Sequence, residues 1–359
     1  MKRLIVILGP TAVGKTDYSI EVARHYGSPI ISCDSRQIYR EMRIGTAVPS
    51  PDQLAAVKHY FIRSHSVTEP YTAGKYEIEA LRLIHRLFDE GHDTLVMCGG
   101  SGFYIDAVCN GLDDFPEADP ELRRQLNARL TSEGVESLRL DLRRLDPESY
   151  ATIDIANGQR VIRALEVCLM TGRPFSSFKT SPCRQRDFAI EKIGLTRPRE
   201  ELYARINSRV YGMVKAGLVE EVRSLLPFRE LTALQTVGYR EIFAWFDYMA
   251  TTSAPDNYDT TMTARPGSPD IDLSDTGQER NGTEYPGRQQ TDMQTKGELC
   301  IRTGKADMQK KGKLGTEKGD GPVYSLERAI ELIQRNTRHY AKRQMSWWKR
   351  DREIRWLSL

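Results

Sequence analysis

The chain has 359 residues, a formal net charge of +3 and six cysteines. Its length allows a large core and more than one domain. Because the net charge is small, nucleic-acid binding would require local basic clusters rather than bulk charge. The scattered cysteines include no C-x-x-C pair and no His/Cys cluster, which argues against structural zinc and a disulfide scaffold. With no membrane-length apolar run and no room for a signal peptide before the first predicted strand, we expect a cytoplasmic protein that does not contact membranes.

The first predicted element is a strand, Leu4–Leu8, which runs directly into the segment GPTAVGKT. This segment is the G-x-x-x-x-G-K-[ST] pattern of a phosphate-binding loop, in which glycines let successive backbone N–H groups turn around an anion. A helix predicted over Asp17–Tyr26 would add its positive N-terminal end. A chance match in a glycine-containing turn is disfavoured because strand, loop and helix follow in the required order. The predicted diphosphate- or nucleotide-binding residues are Gly9, Pro10, Thr11, Ala12, Val13, Gly14, Lys15 and Thr16.

Two residues of this loop have specific predicted roles. Lys15 would place a point charge on the terminal phosphate oxygens, and the Thr16 hydroxyl would hold Mg²⁺, the cofactor that the sequence predicts. The loop indicates a bound di- or triphosphate but leaves open what happens to that phosphate.

Two further buried strands are predicted to end in polar or glycine-rich loops. Pro29–Cys33 leads into Asp34, and Thr94–Cys98 leads into Gly99-Gly100-Ser101-Gly102. Ligands bind at the carboxyl ends of the strands in open α/β sheets, so both loops are expected beside the phosphate loop. Asp34 is compatible with a turn or helix cap, a water-mediated Mg²⁺ contact or a general base. An acidic residue that would hold the metal for ordinary ATP hydrolysis is absent from the end of Thr94–Cys98.

The remaining pattern predicts an α/β fold with a P-loop NTPase-like parallel sheet core and a helical insertion domain. Between the second and third strands, Tyr76–Glu90 is predicted as a helix with Ile78, Leu81, Ile84 and Leu87 on its apolar face. The predicted segments are the first part of the core (1–114), the helical insertion (115–183), the continued core (184–248), a disordered low-complexity insertion (249–321) and a basic C-terminal helix (322–359). Within them, Asp119–Leu145, Ala156–Met170, Pro198–Leu226 and Ser325–Lys349 are predicted helical, and Phe188–Leu195 is predicted as a strand.

Basic residues cluster at three places, which are the C-terminal helix, Arg160–Arg163 and Arg123-Arg124. A charge run is usually a solvated face, but the C-terminal helix interleaves its arginines and lysines with aromatic residues, including Trp347 and Trp348. That mixture favours phosphate contact and base stacking on an RNA. Arg205 and Arg209 are either exposed helix charges or a second clamp on the phosphates.

Taken together, these motifs resemble the bacterial tRNA isopentenyltransferase family, the tRNA dimethylallyltransferases. The resemblance rests on GPTAVGKT, CDSRQIYREMRIGTAVP, GGSGFY, QRVIRALEV, GLTRPREELYARINSRVYGMVKAGLVEEV, TVGYRE and TRHYAKRQMSWW, which occur in that order over nearly the whole chain. It implies transfer of a dimethylallyl group from dimethylallyl diphosphate to N6 of the adenine 3′ of the anticodon, in tRNAs that read codons beginning with U. Ser101 stands where the family usually has Thr, so the hydroxyl is kept.

The resemblance also implies roles for individual residues. Lys15 and Arg209 would stabilise the diphosphate leaving group, and Asp34 would accept the amine proton. Family tRNA contacts fall on Asp34, Ser35, Arg36, Gln37, Ser101, Arg123, Gln159, Arg160, Val161, Ile162, Arg163, Arg338, Lys342, Arg343 and Gln344. The expected partners are tRNA and dimethylallyl diphosphate, and we expect the protein to act as a monomer.

Two other functions remain open at this stage, a small-molecule kinase of the phosphate-loop class and an RNA-binding module without chemistry. A kinase leaves the basic aromatic C-terminal helix unexplained, whereas a binding module does not explain Asp34 and Arg209 beside the phosphate site. Most family members cross 249–321 with a short segment, so we predict that this insertion is dispensable for catalysis. Deleting it and measuring transfer to tRNA tests this, since a large loss of activity with the fold retained would refute the prediction.

Overall fold

A six-stranded, wholly parallel sheet organises the fold. The computed structural model describes residues 1–179, 184–252 and 323–359. Across the sheet the strand order is β3-β2-β4-β1-β5-β6. The strands are β1 (Arg3–Leu8), β2 (Ile30–Ser32), β3 (His59–Tyr60), β4 (Thr94–Gly99), β5 (Ala189–Thr196) and β6 (Ile354–Ser358). The predicted α/β class and parallel sheet are confirmed, and β2, β4 and β1 are adjacent, so their three loops meet at one edge.

Helices connect these strands on both sides of the sheet. The helices are α1 (Lys15–His25), α2 (Pro51–Ala56), α3 (Ala73–Asp89), α4 (Gly102–Asn110), α5 (Pro120–Glu133), α6 (Val135–Leu145), α7 (Pro147–Thr152), α8 (Gly158–Thr171), α9 (Arg199–Lys215), α10 (Leu218–Ser224), α11 (Tyr239–Thr252) and α12 (Leu326–Trp348). Short 3-10 turns lie at Phe175–Phe178, Leu226–Phe228 and Thr232–Leu234. None of the helices in the described ranges is both long enough and apolar enough to cross a membrane.

The unbroken apolar sequence of β1 is explained by burial on both faces of the sheet. Leu4 and Leu8 pack in a cluster with α3 and α4, whereas Ile5 and Ile7 pack in a second cluster with α1 and α9. A central parallel strand covered by helices on both sides has no solvent-facing positions, so period-two alternation is absent. This packing holds the carboxyl end of β1, where the phosphate loop begins, at the centre of the sheet.

Two edge strands were not predicted from the sequence. β3 has only two residues, and β6 follows the basic helix as the segment IRWLS. The buried Lys192 of β5 donates to Asp351 at 2.7 Å and to Glu353 at 3.1 Å, just before β6 begins. These ion pairs and the backbone pairing with β5 hold β6 at the edge of the sheet. The C-terminal region therefore contributes an edge strand as well as a helix.

Helix α3 buries Ile84 and Leu87 as predicted, and Leu81 packs partly buried against the same cluster, but Ile78 does not belong to this stripe. Its buried residues are Tyr76, Glu77, Ala80, Leu83, Ile84, Leu87 and Phe88. Ile78 is 60% exposed, so its placement on the apolar face was wrong. The aromatic Tyr76 takes the core position because its hydroxyl donates to the Ser32 carbonyl at 2.9 Å, which satisfies the polar end of a buried ring.

The single helix predicted over Pro198–Leu226 is two helices. α9 ends at Lys215, and α10 starts at Leu218. Gly217 has φ +98°, a left-handed conformation that glycine adopts readily and that ends a helix. The apolar spacing continues across this break, which explains why periodicity alone predicted one element.

Helices α5 to α8 pack around a cluster of their own. Leu126, Leu138, Leu142 and Leu165 lie at its centre, and the Asp119 side chain caps α5 by accepting from the Glu121 and Leu122 backbone N–H groups. These helices belong to one compact unit formed by 1–248 and 323–359. Of the insertion predicted at 249–321, only the last residues of α11, Met249–Thr252, are described; the rest lies outside the described residues.

Candidate active site

A cavity of about 350 Å³ lies at the carboxyl edge of β1, β2 and β4. The phosphate loop forms one wall with Thr11, Lys15 and Thr16, while Asp34 and Arg209 face it from the β2 loop and α9. Residues that lie far apart in the sequence, but that were predicted to act together, therefore share one cavity. The arrangement suits an anionic ligand with a carboxylate beside it.

The phosphate loop has the backbone conformation that its glycines predict. Gly9 and Gly14 have φ values of +150° and +112°, and Ala12 between them has φ +66°. A Cβ at Gly9 would lie 2.7 Å from the Leu195 carbonyl oxygen, so only glycine fits there. Lys15 donates to the Gly9 and Pro10 carbonyl oxygens at 2.9 Å each, which folds its ammonium back over the loop.

Three arginines lie around this loop and its Lys15. Arg205 donates to the Ala12 carbonyl at 2.8 Å, and Arg197 donates to the Val13 carbonyl at 2.8 Å. Burial lowers the pKa of Lys15, and the nearby Arg209 lowers it further. Arg209 keeps solvent-exposed surface, yet desolvation of its guanidinium and repulsion from Arg205 lower its pKa too. Cations held this close without a full set of carboxylate partners indicate a site prepared for a multivalent anion.

The Asp34 carboxylate is held in a defined orientation by the backbone that follows it. Its Oδ1 accepts from the Arg36 N–H at 2.8 Å and from the Gln37 N–H at 3.2 Å. The Ser101 hydroxyl, on the loop after β4, accepts from the Ser35 N–H at 2.9 Å and so joins the two loops. The capping role considered for Asp34 is therefore present, and Asp34 also lines the first cavity.

Gln37 and Gln344 also make contacts within the protein. Gln37 donates to the Thr46 and Ala47 carbonyls at 3.1 and 2.9 Å. Gln344 of α12 is buried, where it accepts from the Thr11 N–H at 2.9 Å and donates to the Gly100 carbonyl at 2.8 Å. Both glutamines hold cavity loops in place, a role that the predicted tRNA contacts did not include.

A second cavity of about 220 Å³ adjoins the first. Its lining shares Asp34, Arg209 and Tyr340 with the first cavity. Apolar side chains from α9, α12 and the segment before α11 form much of the rest of its wall: Ile206, Val210, Met213, Val237 and Ile333. A polar, cationic cavity and a partly apolar one therefore meet at the predicted catalytic carboxylate.

Glu221 of α10 shapes this region, although no role was predicted for this residue from the sequence. Its carboxylate accepts from the backbone N–H groups of Arg43, Ile44 and Gly45 at 3.0, 2.7 and 3.0 Å. The Tyr239 hydroxyl also donates to it, at 2.7 Å. One carboxylate thus holds the 43–45 loop beside both cavities, and in the sequence it looked like any other helix charge.

Basic and polar residues of the helical insertion are partly engaged in ion pairs. Arg123 and Arg163 both pair with Glu166, whose side chain is fully buried. Arg160 and Gln159 are exposed on the first turn of α8. Arg160 and Gln159 therefore present polar groups at the surface. Contact of these residues with tRNA stays a prediction.

Val161 and Ile162 lie in the buried core of the same helical cluster. Their relative exposures are 0% and 1%, so the structure gives their side chains no surface with which to contact RNA. The predicted contact fails for these two side chains because α8 turns them toward α5 and α6.

The C-terminal helix separates its two tryptophans. Trp347 is 45% exposed and its indole N–H donates to Asp106 at 2.8 Å, whereas Trp348 is 2% exposed in the sheet core. Of the two tryptophans, Trp347 is therefore the one whose ring is exposed for stacking on a base. Lys342 and Arg343 are exposed, and Arg338 donates to Asn207 at 2.7 Å.

The oxygen donors at the loop fit Mg²⁺. The Thr16 hydroxyl and the neighbouring Asp17 carboxylate, which accepts from Gln53 at 2.7 Å, both line the first cavity. No group of three or more His, Cys, Asp or Glu side chains within the described ranges is arranged to hold a metal. Mg²⁺ commonly keeps several waters and binds through substrate phosphates with only one or two protein ligands, so this sparse donor set suits it.

Comparison with known proteins assigns the family. The model of the IPP transferase family matches residues 37–264 and 313–351. The chain is 40% identical over 356 residues to tRNA dimethylallyltransferase 1 of Bacteroides thetaiotaomicron, covering 99% of this chain and 91% of that protein. It is 42% identical over 353 residues to tRNA dimethylallyltransferase 2 of Porphyromonas gingivalis, covering 98% and 93%.

Solved structures agree with this assignment. The full-length tRNA isopentenylpyrophosphate transferase of Bacillus halodurans is 28% identical, with a TM-score of 0.58 and coverage of 100% of this chain and 90% of that one. A eukaryotic dimethylallyltransferase acting on tRNA is 20% identical, with a TM-score of 0.65 and coverage of 100% and 74%, and supports the fold alone. With a phosphate loop, an adjoining carboxylate and relatives matched over nearly its full length, this chain belongs to the IPP transferase family.

Proposed function

We propose that this protein transfers a dimethylallyl group from dimethylallyl diphosphate to N6 of the adenine 3′ of the anticodon in tRNAs that read codons beginning with U. One observation carries the proposal: Asp34 and Arg209 line the cavity that the phosphate loop forms. A carboxylate beside a diphosphate site supports chemistry at an amine, and the relatives are named tRNA dimethylallyltransferases.

The diphosphate is the leaving group in this reaction. The nearby Arg209 lowers the pKa of Lys15, so a diphosphate that enters this site would neutralise the repulsion between the two cations. Their positive charge stabilises the negative charge that develops on the diphosphate as the C–O bond breaks. Mg²⁺, held by the Thr16 hydroxyl, would supply further charge neutralisation when bound.

Asp34 is placed to act as the base. As the allylic C–O bond breaks, its electron pair leaves with the diphosphate, and the adenine N6 lone pair forms the new C–N bond. The excess proton on N6 then passes to the Asp34 carboxylate. Two backbone N–H bonds to Oδ1 hold this carboxylate in orientation, so its other oxygen is the one that faces the amine.

The two adjoining cavities suit the two reacting groups. The first is lined by the phosphate loop and accommodates the diphosphate, while apolar side chains in the second accommodate carbon. The adenine must leave its stack to reach this site, as in other enzymes that modify bases. Surface residues that we assign to tRNA are Ser35, Arg36, Gln159, Arg160, Arg338, Lys342 and Arg343, with Trp347 as an exposed stacking surface.

A small-molecule kinase is the alternative, and the comparisons do not favour it, because relatives over nearly the full chain are named as transferases acting on tRNA. We further propose that the protein acts as a monomer in the cytoplasm, where unmodified tRNA would be its substrate. Light scattering of the purified protein measures the oligomeric state, and cell fractionation measures the location.

One assay tests the proposed function. Purified full-length protein is incubated with unmodified tRNA, Mg²⁺ and dimethylallyl diphosphate labelled in the allyl group, and in parallel with labelled ATP. Label in the tRNA from the allyl donor, located at the adenine next to the anticodon, is the expected result. ATP turnover with a small acceptor and no label in tRNA would instead support a kinase, and the absence of both reactions would leave a binding module.

A further inference from the structure

One face of α12 runs along both cavities. Ile333 and Thr337 line the second cavity, Tyr340 lines both, and Gln344 lines the first. Their spacing of four, three and four residues places them on one side of the helix. Gln344 is fixed at one end by its bonds to the Thr11 N–H and the Gly100 carbonyl. The helix therefore presents Tyr340 at a defined place, where the two cavities meet.

Tyr340 is distinctive in its surroundings. Among the described residues that line either cavity, it is the one Phe, Tyr or Trp side chain; the first cavity has in addition the imidazole of His59. Asp34 and Arg209 line the same two cavities as Tyr340. The aromatic ring thus borders the volume in which a donor held by the loop and an amine beside Asp34 would react.

The electrostatic surroundings of this ring keep its phenol neutral. Burial raises the pKa of Tyr340 well above the ordinary value, and the Asp34 carboxylate raises it further, whereas Arg36 and Arg343 oppose the shift. A neutral phenol ring carries negative charge density on its face, which attracts a cation. The charged side chains that line the second cavity are Asp34, Arg36 and Arg209, and Tyr340 is its aromatic ring among the described residues.

We propose that Tyr340 is a catalytic residue whose ring face stabilises the positive charge that develops on the allylic carbon during transfer. The proposal rests on the proposed function, since it needs the dimethylallyl donor. As the C–O bond lengthens, positive charge spreads over the allyl carbons while the bonding pair leaves on the diphosphate. The Tyr340 ring faces that charge until the N6 lone pair forms the C–N bond and the proton passes to Asp34. The ring itself forms no bond and is neither oxidised nor reduced.

The test replaces Tyr340 by residues of matched shape and graded electron density. Full-length variants carry phenylalanine, then mono-, di- and trifluorinated phenylalanine, at position 340, and Tyr340→Leu removes the ring. The readout is the single-turnover transfer rate with saturating tRNA and dimethylallyl diphosphate. Each added fluorine should lower this rate about two- to threefold, and Tyr340→Leu should lower it about 10- to 30-fold, with donor and tRNA affinities little changed.

Matched variants separate this role from three others. A flat fluorine series would overturn the proposal, because packing alone does not respond to ring electron density. If Tyr340→Phe already loses the whole transfer rate, the role belongs to the hydroxyl. If Tyr340→Leu raises the KM for tRNA and leaves the transfer rate unchanged, the role is adenine stacking. Both results contradict the proposal. Thermal unfolding of each variant checks that the fold is retained, and the fluorinated series stays informative if Tyr340→Leu fails to fold. Absence of transfer by the unsubstituted protein would refute the proposed function instead, so the two failures are distinguishable.

Discussion

The Gln344 side chain accepts a hydrogen bond from the backbone N–H of Thr11 at 2.9 Å, although 333 residues separate them. The same amide donates to the Gly100 carbonyl at 2.8 Å. A Cβ at Gly100 would lie 2.4 Å from the Gln344 Nε2, so the glycine is required for this close approach. Through one side chain, the C-terminal helix therefore joins the phosphate loop to the loop after β4.

Removing this link should weaken the donor site and the fold together. Gln344→Ala leaves a partly buried N–H and a buried carbonyl without their partner, which should lower the free energy of unfolding by about 1–3 kcal/mol. We also expect a higher KM for dimethylallyl diphosphate, because Thr11 is part of the phosphate loop. Chemical denaturation and steady-state kinetics measure the two effects. Ser346→Ala, at an exposed position of the same helix, is the control and should change neither. An unchanged donor KM in Gln344→Ala would contradict a positioning role for Gln344.

Asp34→Asn should lower the rate of chemistry while leaving tRNA binding nearly intact. Asparagine keeps an Oδ1 acceptor for the Arg36 and Gln37 N–H groups, so the loop conformation should be retained while the basic carboxylate is lost. Loss of a general base typically costs about 10²- to 10⁴-fold in rate. Single-turnover transfer and filter binding of tRNA measure the two quantities. Equal losses in both would make Asp34 a tRNA contact rather than the base.

Arg209 and Arg205 should respond differently to the same substitution. The Arg205 guanidinium is engaged with the Ala12 carbonyl, whereas Arg209 lines both cavities. Arg209→Gln should lower the single-turnover rate about 10²- to 10³-fold, the range observed when one group that stabilises transition-state charge is removed. Arg205→Gln should act mainly on the donor KM by loosening the loop. Similar rate losses in the two variants would contradict the separate roles.

Donor binding should take up a proton at alkaline pH. In the ligand-free protein, burial lowers the pKa of Lys15 below its ordinary value of 10.5, and a bound diphosphate favours the protonated ammonium. Affinity should therefore fall as pH rises through the lowered pKa. Calorimetry with inorganic pyrophosphate, in two buffers of different protonation enthalpy, measures the uptake. Lys15→Met should abolish it, and uptake that persists in that variant would assign the proton to another group.

The same shift has a defined sign for stability. Between the lowered pKa of Lys15 and 10.5, the unfolded chain binds more protons than the folded chain. The Lys15 contribution to the free energy of unfolding should therefore rise with pH over that window. Denaturation of the ligand-free protein at several alkaline pH values, compared with Lys15→Met, isolates this contribution. A difference between the two proteins that falls with pH would contradict the direction of the shift.

Two glycines near the α9–α10 junction should give opposite stability changes when replaced by alanine. Gly217 has φ +98°, a conformation that costs a residue with a Cβ about 1–2 kcal/mol. Gly212 lies inside α9 with open space around its Cα, so Gly212→Ala should stabilise by about 0.5–1 kcal/mol. Urea unfolding of both variants checks the signs. Equal effects would mean that Gly217 does not terminate α9 in solution.

The local sequence was enough to predict the phosphate loop, the buried strands β1, β2 and β4, and their meeting at one edge. Each of these follows from short-range chemistry: a glycine pattern that lets a loop surround an anion, and apolar runs that need burial on both faces. Parallel pairing of neighbouring strands then brings their carboxyl ends together. For the same reason Asp34 could be placed beside Lys15 without knowledge of the tertiary structure.

Tertiary packing alone decided which side chains of the helices face the site. Gln344 and Tyr340 line the cavities, whereas Val161, Ile162 and Trp348 are buried away from any RNA surface. Helical periodicity identifies an apolar stripe but does not say which element packs against it. Gly217 also separates α9 from α10, although the apolar spacing continues across both helices. Long-range contacts between elements determine these orientations, so the phosphate loop could be predicted from the local sequence, and Arg209 of α9 through the family resemblance. That Tyr340 of α12 lines both cavities, and that Gln344 joins two of their loops, was decided by the tertiary structure.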